Sequence, residues 1–169
     1  MKNIIEQLES YGFKKAGSWY ITENTKELDF VLNEEFENKR VIYAFVDNAE
    51  VKYIGICDDE KTTLKDRMEK YKNKQGGSTN ERIHYELKNS LKSGNKRIEI
   101  FALEIMKDED GIKVPNEVIK KLAEDVGGVE KLLVMRFTPV WNIKYKEKLI
   151  KFLSGLTEVE VRILWNKLK

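Results

Sequence analysis

Between Lys61 and Arg97 eleven basic residues stand against four acidic ones, a local charge of +7, and residues 131–169 hold nine against three, a local +6. The intervals 41–60 and 101–130 each carry −4. Basic segments separated by acidic ones can build a phosphate-binding groove beside a carboxylate that holds a metal. Lysines and glutamates that merely solvate helix faces give the same pattern, and the whole chain sums to only +2. The individual residues are equally two-sided. Tyr43 and Tyr53 lie in β-rich runs where aromatics usually belong to the core. Arg67 lies on a helical stretch, the ordinary place for a surface charge. Glu130 follows Gly127-Gly128 and suits a first helical turn, where the helix dipole favours a carboxylate. His84, the only histidine, could serve as metal ligand or base, but a surface or phosphate-facing position is the simpler expectation. Cys57, the only cysteine, has no ligand partners for a structural zinc and reads as a buried strand residue.

These residues sit on a legible succession of elements. Ile4, Ile5, Leu8 and Tyr11 share a helical face that Gly12 ends in a C′ role. Short alternating runs follow at Trp19–Ile21 and Leu28–Leu32. Val41–Val46 and Val51–Ile56 form a hairpin around Asp47-Asn48-Ala49-Glu50, since Asp and Asn favour turns and β-branched or aromatic residues favour strands. A helix then runs to about Lys72 with Leu64, Arg67, Met68 and Tyr71 on one stripe. Gly76-Gly77-Ser78-Thr79-Asn80 reads as a loop, and a helix with Ile83, Leu87 and Leu91 runs on to Gly94. Arg97–Ile105 alternates as a strand, residues 107–111 form an acidic turn, and helices follow Pro115-Asn116 and span Val129–Phe137. The last 27 residues read as basic amphipathic helix.

The order hairpin, helix, helix, strand, helix carries five short motifs. They are Ile42-Tyr43; Tyr53-Ile54-Gly55; Arg67 within Leu64-Lys65-Asp66-Arg67-Met68; Glu130 opening Glu130-Lys131-Leu132-Leu133; and Asn142 closing Pro139-Val140-Trp141-Asn142. In this order they resemble the GIY-YIG nucleases over residues 41–142, although Val41 stands where the first motif has glycine. Val41-Ile42-Tyr43-Ala44, Ser78-Thr79-Asn80 and Leu91-Lys92-Ser93-Gly94 are similar to the small restriction-enzyme and phage endonuclease branch. The resemblance implies an α+β fold: a small antiparallel sheet with a three-stranded core, flanked by helices. It makes residues 1–169 one domain, with 1–40 an accessory helix and strands, 41–142 the core and 143–169 a basic helical extension.

The same resemblance implies hydrolysis of DNA phosphodiester bonds with Mg²⁺ or Mn²⁺, with the chemistry of a sequence-specific restriction enzyme as the first expectation; a structure-specific repair nuclease and a non-catalytic nucleic-acid-binding module with the same fold are the alternatives. Tyr43 takes the general-base position. An ordinary phenol has a pKa of about 10, so cationic neighbours such as Lys52, Arg67 or the metal would have to depress it. Arg67 would fork donors onto the phosphate, and Glu130 would be the metal ligand, an oxygen donor suited to either ion. Tyr53 would orient water or phosphate, Asn142 would tie down backbone, and Tyr71, one turn beyond Arg67, would tune Tyr43. Ser78, Thr79, Asn80, Arg82, Lys96 and Arg97 are expected to line the groove for double-stranded DNA. Cutting both strands favours a homodimer or higher oligomer, with Trp19, Phe30, Phe152, Leu156 and Trp165 as interface candidates. No apolar run approaches the roughly 20 residues of a membrane span, there is no signal-peptide pattern, and a lone cysteine suits a reducing compartment, so a cytoplasmic enzyme is expected.

The hairpin poses a sharper question. A simple four-residue loop pairing Val46 with Val51 would set Tyr43 opposite Ile54 and turn the two phenols to opposite faces. Both reach the Arg67 side only through a loop of three or five residues or a bulge.

Overall fold

The computed structural model describes residues 3–57, 62–94, 97–108, 111–113 and 126–143. In chain order the elements are α1 (Ile4–Ser10), β1 (Lys14–Ile21), β2 (Leu28–Leu32), α2 (Glu34–Glu37), β3 (Val41–Asp47), β4 (Glu50–Ile56), α3 (Leu64–Lys72), α4 (Ser78–Lys92), β5 (Ile98–Glu104), β6 (Met106–Asp108), β7 (Gly111–Lys113) and α5 (Val126–Phe137). The helix expected after Pro115-Asn116, the C-terminal extension, and Phe152, Leu156 and Trp165 lie outside the described residues. Among the described residues no helix is long and apolar enough to cross a membrane.

The protein is α+β, and its main sheet has five strands, two more than the expected three-stranded core. The order is β2-β1-β5-β3-β4, with every neighbour antiparallel. The extra strands come from the N-terminal segment: β1 pairs along β5, Trp19 facing Ile98 and Ser18 facing Glu99. The supposed acidic turn at 107–111 instead joins a small hairpin, β6–β7.

Helices cover both faces because strand alternation makes both apolar. One core holds Trp19, Tyr43, Phe45 and Tyr53 from the sheet under Phe36 of α2, Leu64, Met68 and Tyr71 of α3, and Ile83, Leu87 and Leu91 of α4. The other packs Ile42, Ala44, Val46, Val51 and Ile54 against Leu8 and Tyr11 of α1 and Val129, Leu133 and Val134 of α5. Helix ends are set locally. Asn3 with Glu6, and Thr63 with Asp66, form capping boxes that satisfy first-turn N–H groups of α1 and α3. Gly12, at φ +93°, follows α1 in the left-handed conformation expected of it.

The hairpin resolves its register by a bulge. Val46 pairs with Val51, but Phe45 pairs with Tyr53 and Tyr43 with Gly55, so Lys52 is the extra residue. Val51 and Ile54 therefore share one core although three residues apart, while Tyr43 and Tyr53 share the other. The turn is shorter than the four residues expected. Asp47 pairs with Glu50, and only Asn48 and Ala49 turn, at φ +49° and +59°. Both being left-handed matches the twist of the flanking strands. Asn tolerates that conformation, whereas alanine pays for its β-carbon there. Ala49→Gly should raise stability by about 1 kcal/mol, read as a higher urea midpoint with an unchanged denaturant slope; an unchanged or lower midpoint would contradict this turn geometry.

Candidate active site

Three phenols meet under α3. The Tyr43 and Tyr71 hydroxyls are 2.6 Å apart, and Tyr71 donates to the Tyr53 hydroxyl at 3.3 Å. A phenol has one proton, so with Tyr71 donating to Tyr53, Tyr43 is the donor to Tyr71. The Tyr53 proton is thus the one not spent inside the chain. Exposure follows the same order: Tyr43 and Tyr71 are 1% exposed and Tyr53 is 8% exposed. Tyr53 is the phenol that faces outward.

Backbone geometry holds Tyr43 there. A β-carbon on Gly55 would overlap the Tyr43 hydroxyl and ring, so the cross-strand partner must be glycine for the ring to lie over it. The outer edge of β4 is tied down by the chain after α5. Asn142 accepts from the Ile54 N–H at 2.9 Å and donates to the Ile54 carbonyl at 2.7 Å, while the Trp141 N–H donates to the Lys52 carbonyl at 2.8 Å. Asn142 is buried and works as a surrogate strand on the backbone between Tyr53 and Gly55. From α4, the His84 Nδ1 meets the Tyr71 carbonyl at 3.0 Å. A carbonyl only accepts, so Nδ1 carries the proton. His84 is therefore buried and structural, not the surface or phosphate-facing residue expected. The single-sequence signal was present: it sits on the stripe with Ile83 and Leu87.

Arg67 reaches the cluster from α3. Its Nη2 donates to the Ile56 carbonyl at 3.4 Å, it hydrogen-bonds the Cys57 thiol, and its Nε is enclosed with no acceptor. Burial lowers the Arg67 pKa, but the Tyr43, Tyr71 and Cys57 groups around it raise it by more. Cys57 itself is buried just past β4, its N–H on the Val41 carbonyl. Glu130, in the second turn of α5, is buried and close enough to act electrostatically on the Tyr53 phenol.

The electrostatics of Tyr43 run against expectation. Burial pushes its phenol well above the ordinary value, Tyr71, Tyr53 and Cys57 add to this, and Arg67 opposes it without prevailing. Tyr71 is raised well above its ordinary value for the same leading reason. Tyr53 is raised by burial and by Glu130, against the Tyr71 hydrogen bond and the Arg67 and Arg82 charges. A desolvated phenolate is costly, and one guanidinium does not offset that cost. Lys52, at the bulge, is paired with Glu50 and is not among the leading influences on the three phenols.

The expected groove residues divide. Ser78, Thr79 and Asn80 are not a loop but the first turn of α4, begun at Gly77 with φ +116°. Ser78 is exposed and Thr79 partly so, whereas Asn80 is buried with its amide on the Gln75 carbonyl. Arg82 is half-buried beside Tyr53, with its Nη1 enclosed and without an acceptor. Arg97 is exposed one residue before β5, on the far side of the sheet from the phenols, donating to the Ser18 hydroxyl at 3.3 Å. Lys96 lies outside the described residues. Among those described, no group of three or more His, Cys, Asp and Glu converges to hold a metal. A single buried carboxylate beside a phenol still fits an ion that keeps most of its water shell, as Mg²⁺ does with one or two protein ligands.

No family model matches the chain, and no curated protein matches it. Among solved structures, a point mutant of bacteriophage T4 EndoII superposes with a TM-score of 0.58, covering 84% of this chain and 99% of its own at 22% identity. The restriction endonuclease HPY188I in complex with product DNA gives a TM-score of 0.42, covering 72% of this chain and 82% of its own at 17% identity. The EndoII likeness is one of fold: this chain has the architecture of that phage protein. The HPY188I likeness is too loose to argue from.

Phenols whose folded pKa lies above the unfolded value of about 10 stabilise the fold below that pH and lose the contribution as pH rises through the folded value. Stability should therefore fall above about pH 10, and the ultraviolet phenolate signal should show at least three of the seven tyrosines ionising only on unfolding. Tyr43→Phe should flatten that alkaline loss. All seven phenols titrating freely in the folded protein would contradict the buried cluster.

Proposed function

We propose that the protein is a divalent-metal-dependent DNA endonuclease of the GIY-YIG type, acting in the cytoplasm as a sequence-specific, restriction-like enzyme. One observation carries the reading: Tyr43, Tyr71 and Tyr53 form one hydrogen-bonded chain facing Arg67, with Glu130 acting on its outward phenol. The fold shared with T4 EndoII supports it.

In this reading the Arg67 guanidinium takes the scissile phosphate and stabilises the charge that grows on its oxygens. Tyr53 presents its hydroxyl to the attacking water or to a phosphate oxygen. Tyr71 fixes both its neighbours, and Tyr43 is the inner member, whose phenol would have to give up its proton under a more positive local potential before its phenolate could accept one from the attacking water. Glu130 would hold the metal, which supplies Lewis-acid charge that lowers the pKa of groups beside it. Asn142 and Gly55 keep the β4 backbone and the Tyr43 ring in register.

The elevated Tyr43 pKa favours a second reading, a nucleic-acid-binding module that keeps the fold without chemistry. Plasmid cleavage with and without Mg²⁺ separates the two. Wild type should cut only with the ion. Glu130→Ala should abolish cutting while keeping its melting temperature and duplex affinity, and Arg67→Ala should slow it on the order of 10²–10³-fold. Full Mg²⁺-dependent cutting by Glu130→Ala would remove that residue from the site.

One such site breaks one strand, so we place the working form as a homodimer or an assembly of dimers on a two-fold symmetric target. Supercoiled plasmid should pass to linear product with little nicked circle accumulating, and light scattering should give two chains per duplex. A monomeric complex that releases only nicked circles would turn the reading toward a structure-specific repair nuclease.

A further inference from the structure

Two arginines on successive helices approach the outward phenol. Arg67 comes from α3 and Arg82 from α4, and both charges act on Tyr53. Each has one donor nitrogen shut off from solvent with no acceptor, Nε of Arg67 and Nη1 of Arg82. Burying a charged donor without an acceptor is costly, more so than for a neutral group. The placement of Arg82 is not accidental to its helix. The buried stripe of α4 includes Ile83, His84 and Leu87, and the His84 bond to the Tyr71 carbonyl fixes that turn against the end of α3. Arg82, the residue before the stripe, is thereby held at the rim of the phenol chain. Arg136 also has an enclosed Nε without an acceptor, but its guanidinium lies over the Phe137 ring and donates to Gln7.

We propose that Arg82 is a second phosphate-binding residue of this site, forming with Arg67 and the Tyr53 hydroxyl a three-sided pocket for one phosphate oxyanion. It reads no base edge and lines no outer groove. The inference rests on the nuclease reading for the source of that phosphate, a DNA backbone phosphodiester, but the pocket itself is a statement about an anion. Two guanidinium groups and a phenol offer donors to a tetrahedral oxyanion through the guanidinium nitrogens that are not enclosed, and the added negative charge offsets the cost of the two partly buried cations. Burial and Glu130 keep the outward Tyr53 hydroxyl protonated, a donor to phosphate, against the opposing charges of Arg67 and Arg82.

The test has two arms. In the first, melting temperature is followed with inorganic phosphate against chloride at matched ionic strength. Wild type and Lys15→Gln, a charge change outside the site, should be stabilised saturably; Arg82→Gln and Arg67→Gln should each lose the response. In the second, single-turnover cleavage of plasmid should fall on the order of 10²-fold for Arg82→Gln, without a shift in preferred site, and recover only partly in Arg82→Lys. Arg82→Lys also guards against a misfolded glutamine variant, because it keeps the charge and the aliphatic stem. Saturable phosphate binding lost in Arg82→Gln, in a protein that cuts no DNA, would uphold the pocket and sink the nuclease reading. A wild type indifferent to phosphate, or an Arg82→Gln variant that binds phosphate or cuts DNA as wild type does, would overturn the pocket. A change of preferred sequence at undiminished rate would return Arg82 to base readout.

Discussion

Lys52 has no partner of its own across the hairpin. Val46 faces Val51 and Phe45 faces Tyr53, so the alternation of side chains resets between the two pairs. Without that extra residue Tyr43 and Tyr53 would point to opposite layers, one toward α3 and the other toward α1 and α5. With it, both phenols enter the layer that holds Tyr71 and Arg67. The bulge costs ladder regularity, and three neighbouring contacts fix where it occurs. Asn142 takes both hydrogen bonds of Ile54, the Trp141 N–H takes the Lys52 carbonyl, and Gly55 admits the Tyr43 ring only in this pairing.

The same reset decides how the two cores divide. Tyr43, Phe45, Tyr53 and Tyr71 form a group of tilted and edge-on rings with centroids 5.5–6.4 Å apart. Such pairs add about 0.5–1.5 kcal/mol each beyond burial. The phenol chain is therefore part of the core that supports α3 and α4 as well as a candidate reaction centre. Changing Tyr71 would disturb packing and hydroxyl network together, whereas replacing Tyr43 by Phe removes only the inner hydroxyl. Function and stability are not separable at the first position and are nearly so at the second.

Much of this was legible locally. The β-rich apolar run of Val41–Val46, the stripe Leu64, Met68 and Tyr71, and the Gly12 stop each depend on residues a few positions apart, and each lies within a residue or two of where the sequence puts it. The need for a bulge or an odd-length loop was also legible, because strict alternation over a four-residue loop sets the two phenols on opposite faces. What could not be read depends on long-range pairing. Nothing local says that β1 lies against β5 and makes a five-stranded sheet. Gly76-Gly77-Ser78-Thr79-Asn80 looks like a loop by composition, yet the helix begins at Ser78 because Gly77 supplies the turn and Asn80 satisfies the Gln75 carbonyl. Arg97 belongs to a basic segment by charge count, but the register puts it on the far side of the sheet from Tyr53. Charge sums along a chain ignore which face a strand residue takes.

The burial of the phenols sets the terms on which any chemistry must work. A hydroxyl chain shielded this well is rigid and free of competing water, which keeps donors aimed without reorganisation. The same shielding holds each phenol protonated, since an anion there loses its hydration, and the Arg67 charge, joined at Tyr53 by that of Arg82, does not offset the loss. The arrangement is thus well formed for donating hydrogen bonds to an anion and poorly formed, by itself, for removing a proton. Reversing that balance requires positive charge to arrive from outside the chain, and it must arrive near Tyr53, where the network opens and where Glu130 already stands. In the proposed site, anion recognition is then what the resting arrangement would support, and proton transfer would be conditional on what joins it. The bulge that gathers the phenols, the glycine that admits one ring and the two helices that bring arginines serve the first of these directly and the second only through that added charge.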